Sequence, residues 1–139
     1  MDVQSVGKVY QQLNKSNLHL LSDVYHREVV FEDAAHRLEG WQALERYFEV
    51  LYQNVTRCDF EIQEHQQQDD SGFLTWRMAL EHPKLSKGTV IYVNGVSHIK
   101  FSEGRVIYHR DYFDLGEMLY ENLPLLGSVI KSIKQRLGK

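Results

Sequence analysis

The chain has 139 residues, of which 42% are hydrophobic, 12% aromatic and 25% charged, with nine Gly and two Pro. That is enough to bury a core, and it excludes collagen-like or low-complexity character. A net charge of −3 supplies no global basic field for nucleic acid, and the single cysteine, Cys58, excludes an internal disulfide or a cysteine-rich metal site. The opening MDVQSVGKVYQQL lacks the basic start and apolar run of a secretory signal. No apolar stretch approaches the ~20 residues of a membrane span. Together these predict a cytoplasmic protein.

Apolar residues at 3, 6, 9, 10 and 13 predict a first helix over Val3–Leu13, with Asp2 as its cap. After a break at 14–17, Leu18, Leu20, Leu21, Val24 and Tyr25 predict a second, short helix capped by Ser16 or Asn17. EVVFED (28–33) is β-branched and aromatic, which predicts a strand. A loop closed by Gly40 leads into the strongest helical pattern, with apolar residues at 41, 44, 47, 48, 51, 52 and 55. The period then changes to two. Strands are predicted over 59–64, 73–82, 89–101 and 105–113, joined by turns at Asp69-Asp70-Ser71-Gly72, Ser86-Lys87-Gly88 and Ser102-Glu103-Gly104. Gly95, inside the long strand, predicts a bulge or a close backbone approach. Residues 124–139 read as a closing helix. Helices first and antiparallel strands later describe an α+β domain, with a bent antiparallel sheet, N-terminal helices over its concave face and an apolar cavity between them.

Two segments, VVFEDAAHRLEGWQALERYF (29–48) and EGRVIYHRDYFDL (103–115), resemble the SnoaL-like, or nuclear transport factor 2-like, superfamily over about residues 10–119. The resemblance implies the superfamily's α+β cone and, as in many members, a homodimer. It does not select one activity, because the cone hosts isomerases, cyclases, hydrolases and plain binders. By resemblance to ketosteroid isomerases, Asp33 falls at the general-base position and Tyr10 near the oxyanion tyrosine. Ser97 stands where that family has a protonated acid. By resemblance to limonene-type epoxide hydrolases, HRDYFDL places Asp111 as the water-activating acid and Asp33 in place of an Asn. That family's Arg and second Asp fall on Gly95 and Ser97.

The residues themselves leave alternatives open. Asp33, beside Phe31 and the Ala34-Ala35 pair at a strand end, is either a partly desolvated base or a turn residue accepting loop N–H groups. His109, Asp111 and Phe113 share one strand face, opposite Tyr108, Arg110 and Tyr112. If the first set faces the cavity it supplies an imidazole–carboxylate pair; otherwise it is solvated. Tyr10 is either an oxyanion donor or a packed core tyrosine. Trp76, Met78, Leu80 and Phe48 read as cavity wall or core, and Arg110 with Asp114 as a surface pair. Seven histidines show no His-x-His or His-x-x-x-His spacing, so no metal site is expected. No phosphate-loop, dinucleotide-binding or serine-hydrolase pattern occurs, and Cys58 reads as inert.

The last 16 residues hold four cations (Lys131, Lys134, Arg136, Lys139) and no acid, so the chain's −3 divides into +4 there and −7 before it. Leu125, Leu126, Val129, Ile130, Ile133 and Leu137 form a stripe. Residues 1–123 are expected to form the cone and 124–139 a basic amphipathic helix of the same domain. That helix either packs its stripe on the cone or a partner, or lies on an anionic membrane surface; packing is the favoured reading. The sequence therefore predicts a pocket for a small, mostly apolar molecule with no cofactor. Asp33 is the expected base, His109 and Asp111 the second acid/base group, and Tyr10 with Ser97 the oxyanion contacts. Trp76, Met78, Phe113 and Phe48 are expected against the ligand. The rival is a binding or accessory module that keeps the pocket without the chemistry.

Overall fold

The computed structural model describes residues 1–123 and 125–138. Helix α1 (Val3–Gln12) starts where Asp2 accepts from the Ser5 backbone N–H at 2.9 Å, a side-chain cap on an otherwise orphaned donor. It buries Val3, Val6, Gly7 and Tyr10, three to four residues apart on one face. A 3-10 turn over Leu18–Asp23 follows, and strand β1 (Tyr25–Glu32) begins earlier than the sequence predicted. The reason is tertiary: Tyr25 lies opposite Val106 in a neighbouring strand, which draws it out of the preceding turn.

A tight turn at Asp33–His36 sends the chain back as β2 (Arg37–Glu39), a short strand the sequence pattern did not reveal. Gly40 has φ +86°, a conformation natural to glycine, and opens α2 (Trp41–Asn54), which buries Leu44, Phe48 and Tyr52. Strands β3 (Arg57–Gln68), β4 (Ser71–Glu81), β5 (Ile91–Ser102) and β6 (Arg105–Phe113) then form a meander of antiparallel pairs. Glu103 and Gly104 both take positive φ, the two-residue turn that matches strand twist between β5 and β6.

The sheet order is β2-β1-β6-β5-β4-β3, curved and not closed into a barrel. It is mixed rather than wholly antiparallel, because β1 lies parallel to β6. This pairing joins the first strand to the last across some 70 residues of chain, a long-range match no local pattern encodes. Gly95 is a close approach and not a bulge. It pairs opposite Trp76, and a Cβ there would overlap the Trp76 indole.

After β6, α3 (Leu115–Met118) and a 3-10 turn (Tyr120–Asn122) fill a stretch where no element was expected. The last helix, α4, spans Leu126–Leu137; Pro124 and Lys139, which the sequence reading included, lie outside the described residues. Its stripe does not pack on the sheet: Leu126, Val129, Ile133 and Leu137 are all exposed. What holds α4 is its first turn, where Gly127 sits against the Glu121 carbonyl, and the Lys134–Glu121 pair at 3.2 Å. The surface pair expected between Arg110 and Asp114 does not form. Arg110 pairs with Glu32, while Asp114 caps α3 by accepting from Glu117 N–H at 3.0 Å. Among the described residues, no helix is long and apolar enough to cross a membrane.

Candidate functional site

Between α2, the inner face of the sheet and the α3 segment lies a cavity of about 400 Å³, within the size range of small-molecule sites. Its walls are overwhelmingly apolar. Phe31, Phe48, Phe60, Trp76, Met78 and Phe113 line it, with Tyr10, Tyr47 and Tyr52 adding hydroxyls. Both candidate carboxylates, Asp33 and Asp111, border it as well. Of the residues expected against a ligand, Trp76, Met78, Phe113 and Phe48 are in the wall. Ser97 and His109 are not: both are almost fully buried and stand behind Asp111.

Asp111 is the hub of a buried polar chain. Its Oδ1 accepts from the Ser97 hydroxyl and lies 2.7 Å from His109 Nε2. Ser97 in turn accepts from Trp76 Nε1–H at 2.9 Å. On the far side, His109 Nδ1 lies 2.8 Å from the Tyr25 hydroxyl, which bonds to the Tyr10 hydroxyl. The strand pairing explains the cluster. Ser97 lies directly across from Asp111, and His109 lies across from Phe31 of β1, two residues before Asp111 on the same face of β6.

With Asp111 ionised, one proton assignment satisfies every group. Tyr10 donates to Tyr25, Tyr25 to His109 Nδ1, His109 Nε2–H and Ser97 to Asp111, and Trp76 to Ser97. All donors then run toward the carboxylate, and its Oδ2 has no protein partner among the described residues. A proton on both His109 nitrogens reverses the two tyrosines. Nδ1–H then donates to Tyr25, Tyr25 to Tyr10, and the Tyr10 hydroxyl proton becomes available to a cavity ligand. Burial pushes the phenols of Tyr10 and Tyr25 well above the usual tyrosine range, so both remain donors.

Asp33 is wired differently. Its Oδ1 accepts from the backbone N–H groups of Ala35 (2.8 Å) and His36 (2.7 Å), and His36 Nδ1 is 3.1 Å away. Its Oδ2 accepts from the Tyr47 hydroxyl at 3.0 Å. This is the use of Asp in a turn, applied here to hold the Asp33–His36 loop against α2.

Sequence reasoning missed Tyr25, Tyr47 and Tyr52. Tyr47 and Tyr52 fall among the apolar positions of the α2 pattern, and Tyr25 falls in the predicted second helix. The one available signal was that three of the seven residues on the α2 stripe (Trp41, Tyr47 and Tyr52) carry a polar tip. The Tyr52 hydroxyl is buried beside the Cys58 thiol. Burial raises its phenol, and pushes the Cys58 thiol up to about 12.

Comparison with known proteins agrees with this architecture. No curated protein matches the chain. Among solved structures, a candidate SnoaL-like polyketide cyclase from Jannaschia sp. CCS1 superposes with a TM-score of 0.72 at 15% identity, covering 84% of this chain and 88% of that one. A similarly described cyclase from Shewanella putrefaciens CN-32 gives 0.68 at 20%, covering 85% and 94%. A Catenulispora acidiphila DSM 44928 protein with a ketosteroid isomerase-like fold, solved with trimethylamine, gives 0.74 at 13%, covering 88% and 92%. These likenesses concern the fold. The sequence itself matches the SnoaL-like domain model over residues 6–109, and by that match the chain belongs to the SnoaL-like domain family.

Proposed function

We propose that the cavity binds a small, mostly apolar molecule and that Asp111 exchanges a proton with it, without a cofactor. The observation that carries this reading is the asymmetric wiring of Asp111. One oxygen is fixed by Ser97 and His109, the other has no protein partner among the described residues, and the residue stands in the wall of an apolar cavity. A carboxylate oriented in this way, with an imidazole behind it to relay charge, is a positioned general base. The reaction class that fits is proton abstraction next to a carbonyl, as in isomerisation or aldol-type cyclisation. The Tyr10 hydroxyl, on a residue of the cavity wall, supplies a donor for the developing oxyanion when His109 is protonated. In this reading Asp33 positions the loop and the Tyr47 ring, and Ser97 and His109 act through Asp111.

A second reading, a binder without chemistry, is favoured by one observation. The hydroxyls of Tyr10, Tyr47 and Ser97 and the Trp76 indole are all engaged within the protein. Carboxyl-resolved NMR with a panel of apolar enones and epoxides separates the two. Turnover of an enone, with the Asp111 resonance moving and Asp111→Asn abolishing turnover but not binding, supports the enzyme. Saturable binding that leaves every panel member chemically unchanged overturns it in favour of the binder. We also propose a homodimer through the outer sheet face, where Phe73, Tyr92 and Tyr112 are exposed. Light scattering that returns the mass of one chain at micromolar concentration overturns that assembly.

A further inference from the structure

A second hollow opens beside the cavity and shares two wall residues with it, Lys84 and Leu123. Its other walls are Pro83, Ser86, Lys87, Glu121, Asn122 and Lys131. Two separate segments build it. The loop before β5 is tied to the 3-10 turn after α3 by a Ser86 Oγ–Asn122 Oδ1 hydrogen bond of 2.6 Å, and Asn122 Nδ2 donates back to the Glu117 carbonyl at 2.7 Å. Helix α4, seated on Glu121 through Gly127 and Lys134, brings Lys131 to the same hollow.

The charge there is one-sided. Lys84, Lys87 and Lys131 line the hollow, and none makes a salt bridge among the described residues. The one carboxylate in the wall, Glu121, is engaged by Lys134 at 3.2 Å. This is a local reversal of sign in a chain whose net charge is negative. Side by side, the molecule offers an apolar chamber and a lysine-lined hollow, with Lys84 and Leu123 in the wall of both.

Resting on the reading that the cavity takes an apolar molecule, we propose that cavity and lysine hollow form one site for an amphipathic ligand. Its apolar body occupies the cavity and a phosphate head sits among Lys84, Lys87 and Lys131. Three ammonium groups on flexible stems suit a head with several anionic oxygens, which each can approach as a point charge. A phosphate therefore binds more tightly than a carboxylate on the same chain, and a carboxylate more tightly than an alcohol.

The test compares decyl phosphate, decanoate and decanol, each below its micellar concentration, by calorimetry on the full chain. The expected order of affinity is phosphate, carboxylate, alcohol. In the variant Lys84→Gln/Lys87→Gln/Lys131→Gln, decyl phosphate is expected to weaken by about 10- to 100-fold while decanol is unchanged. A control of equal charge loss on other exposed lysines, Lys8→Gln/Lys15→Gln/Lys100→Gln, is expected to leave both unchanged. Raising the salt to 0.5 M is expected to weaken the phosphate most, the carboxylate less and the alcohol not at all.

Equal affinity for phosphate and decanol, or equal weakening in both triple variants, overturns the lysine hollow and leaves the apolar cavity standing. Failure of all three probes to bind overturns the cavity reading along with it.

Discussion

Asp33 and Asp111 border the same cavity, yet the donors that hold them come from different places. The partners of Asp33 are mostly its own neighbours: the N–H groups of Ala35 and His36, the His36 ring and, from α2, Tyr47. Asp111 is held by side chains from β5 and β6, and through His109 it connects to β1 and α1. Both Asp33 oxygens accept hydrogen bonds, and the geometry of its Oδ1 serves the turn. Asp111 is held by distant strands on one oxygen alone, and on the proposed function that arrangement turns it toward the ligand. The same residue type on the same cavity thus has two kinds of support, and on the proposed function these correspond to two roles.

The widest contrast is expected in turnover. Asp111→Asn should lower kcat on a responsive enone by about 10²–10⁴. Asp33→Asn should cost no more than about tenfold, the scale of one ordinary hydrogen bond. Steady-state kinetics on both variants checks this, and equal losses would erase the distinction between the two sites.

The next effect is on packing behind Asp111. Gly95→Ala pushes a methyl into the Trp76 indole and should cost about 1–3 kcal/mol in urea unfolding, with Trp76 fluorescence altered. A comparable loss, about 1–3 kcal/mol, is expected for Tyr25→Phe, which leaves Tyr10 and His109 Nδ1 each without its partner in a buried setting. Tyr47→Phe should cost less than about 1 kcal/mol, since Asp33 keeps its loop donors. Denaturant midpoints for the pair measure how much more the Asp111 side depends on each link.

Finally, the phenols of Tyr10, Tyr25, Tyr47 and Tyr52 and the Cys58 thiol are all raised by burial. The folded state therefore holds protons that the unfolded chain gives up at lower pH. Their contribution to stability is fully present below about pH 8.5 and is lost as the pH rises through the range where free thiols and phenols ionise. Absorbance titration should show these four of the eight tyrosines ionising only as the chain unfolds, and Cys58 should resist thiol reagents at pH 8. Ionisation of all eight at ordinary values in the folded chain would contradict the burial of both regions.

Much of the architecture is written locally. The periodicity of α1 and α2, the cap at Asp2, the turns at 69–72 and 102–104, and the shared face of His109, Asp111 and Phe113 all follow from spacing and residue type. What spacing did not carry is what depends on pairing partners. β2 is three residues long and exists only because β1 is there to receive it. Tyr25 is a strand residue because Val106 lies opposite, and the 115–123 segment is ordered around a cavity that other elements create.

The sequence by itself determined the α+β order of elements, the family, an aromatic-lined interior and the two carboxylates worth testing. Only the tertiary structure decided that β1 runs parallel to β6. From that came the rest: Tyr25 brought to His109, a continuous buried chain to Asp111, and Asp33 left to its turn. The physical reason is that helix and strand periods are set by residues within a turn or two of one another. A hydrogen bond between residues 25 and 109 depends on β1 pairing with β6 across the intervening chain.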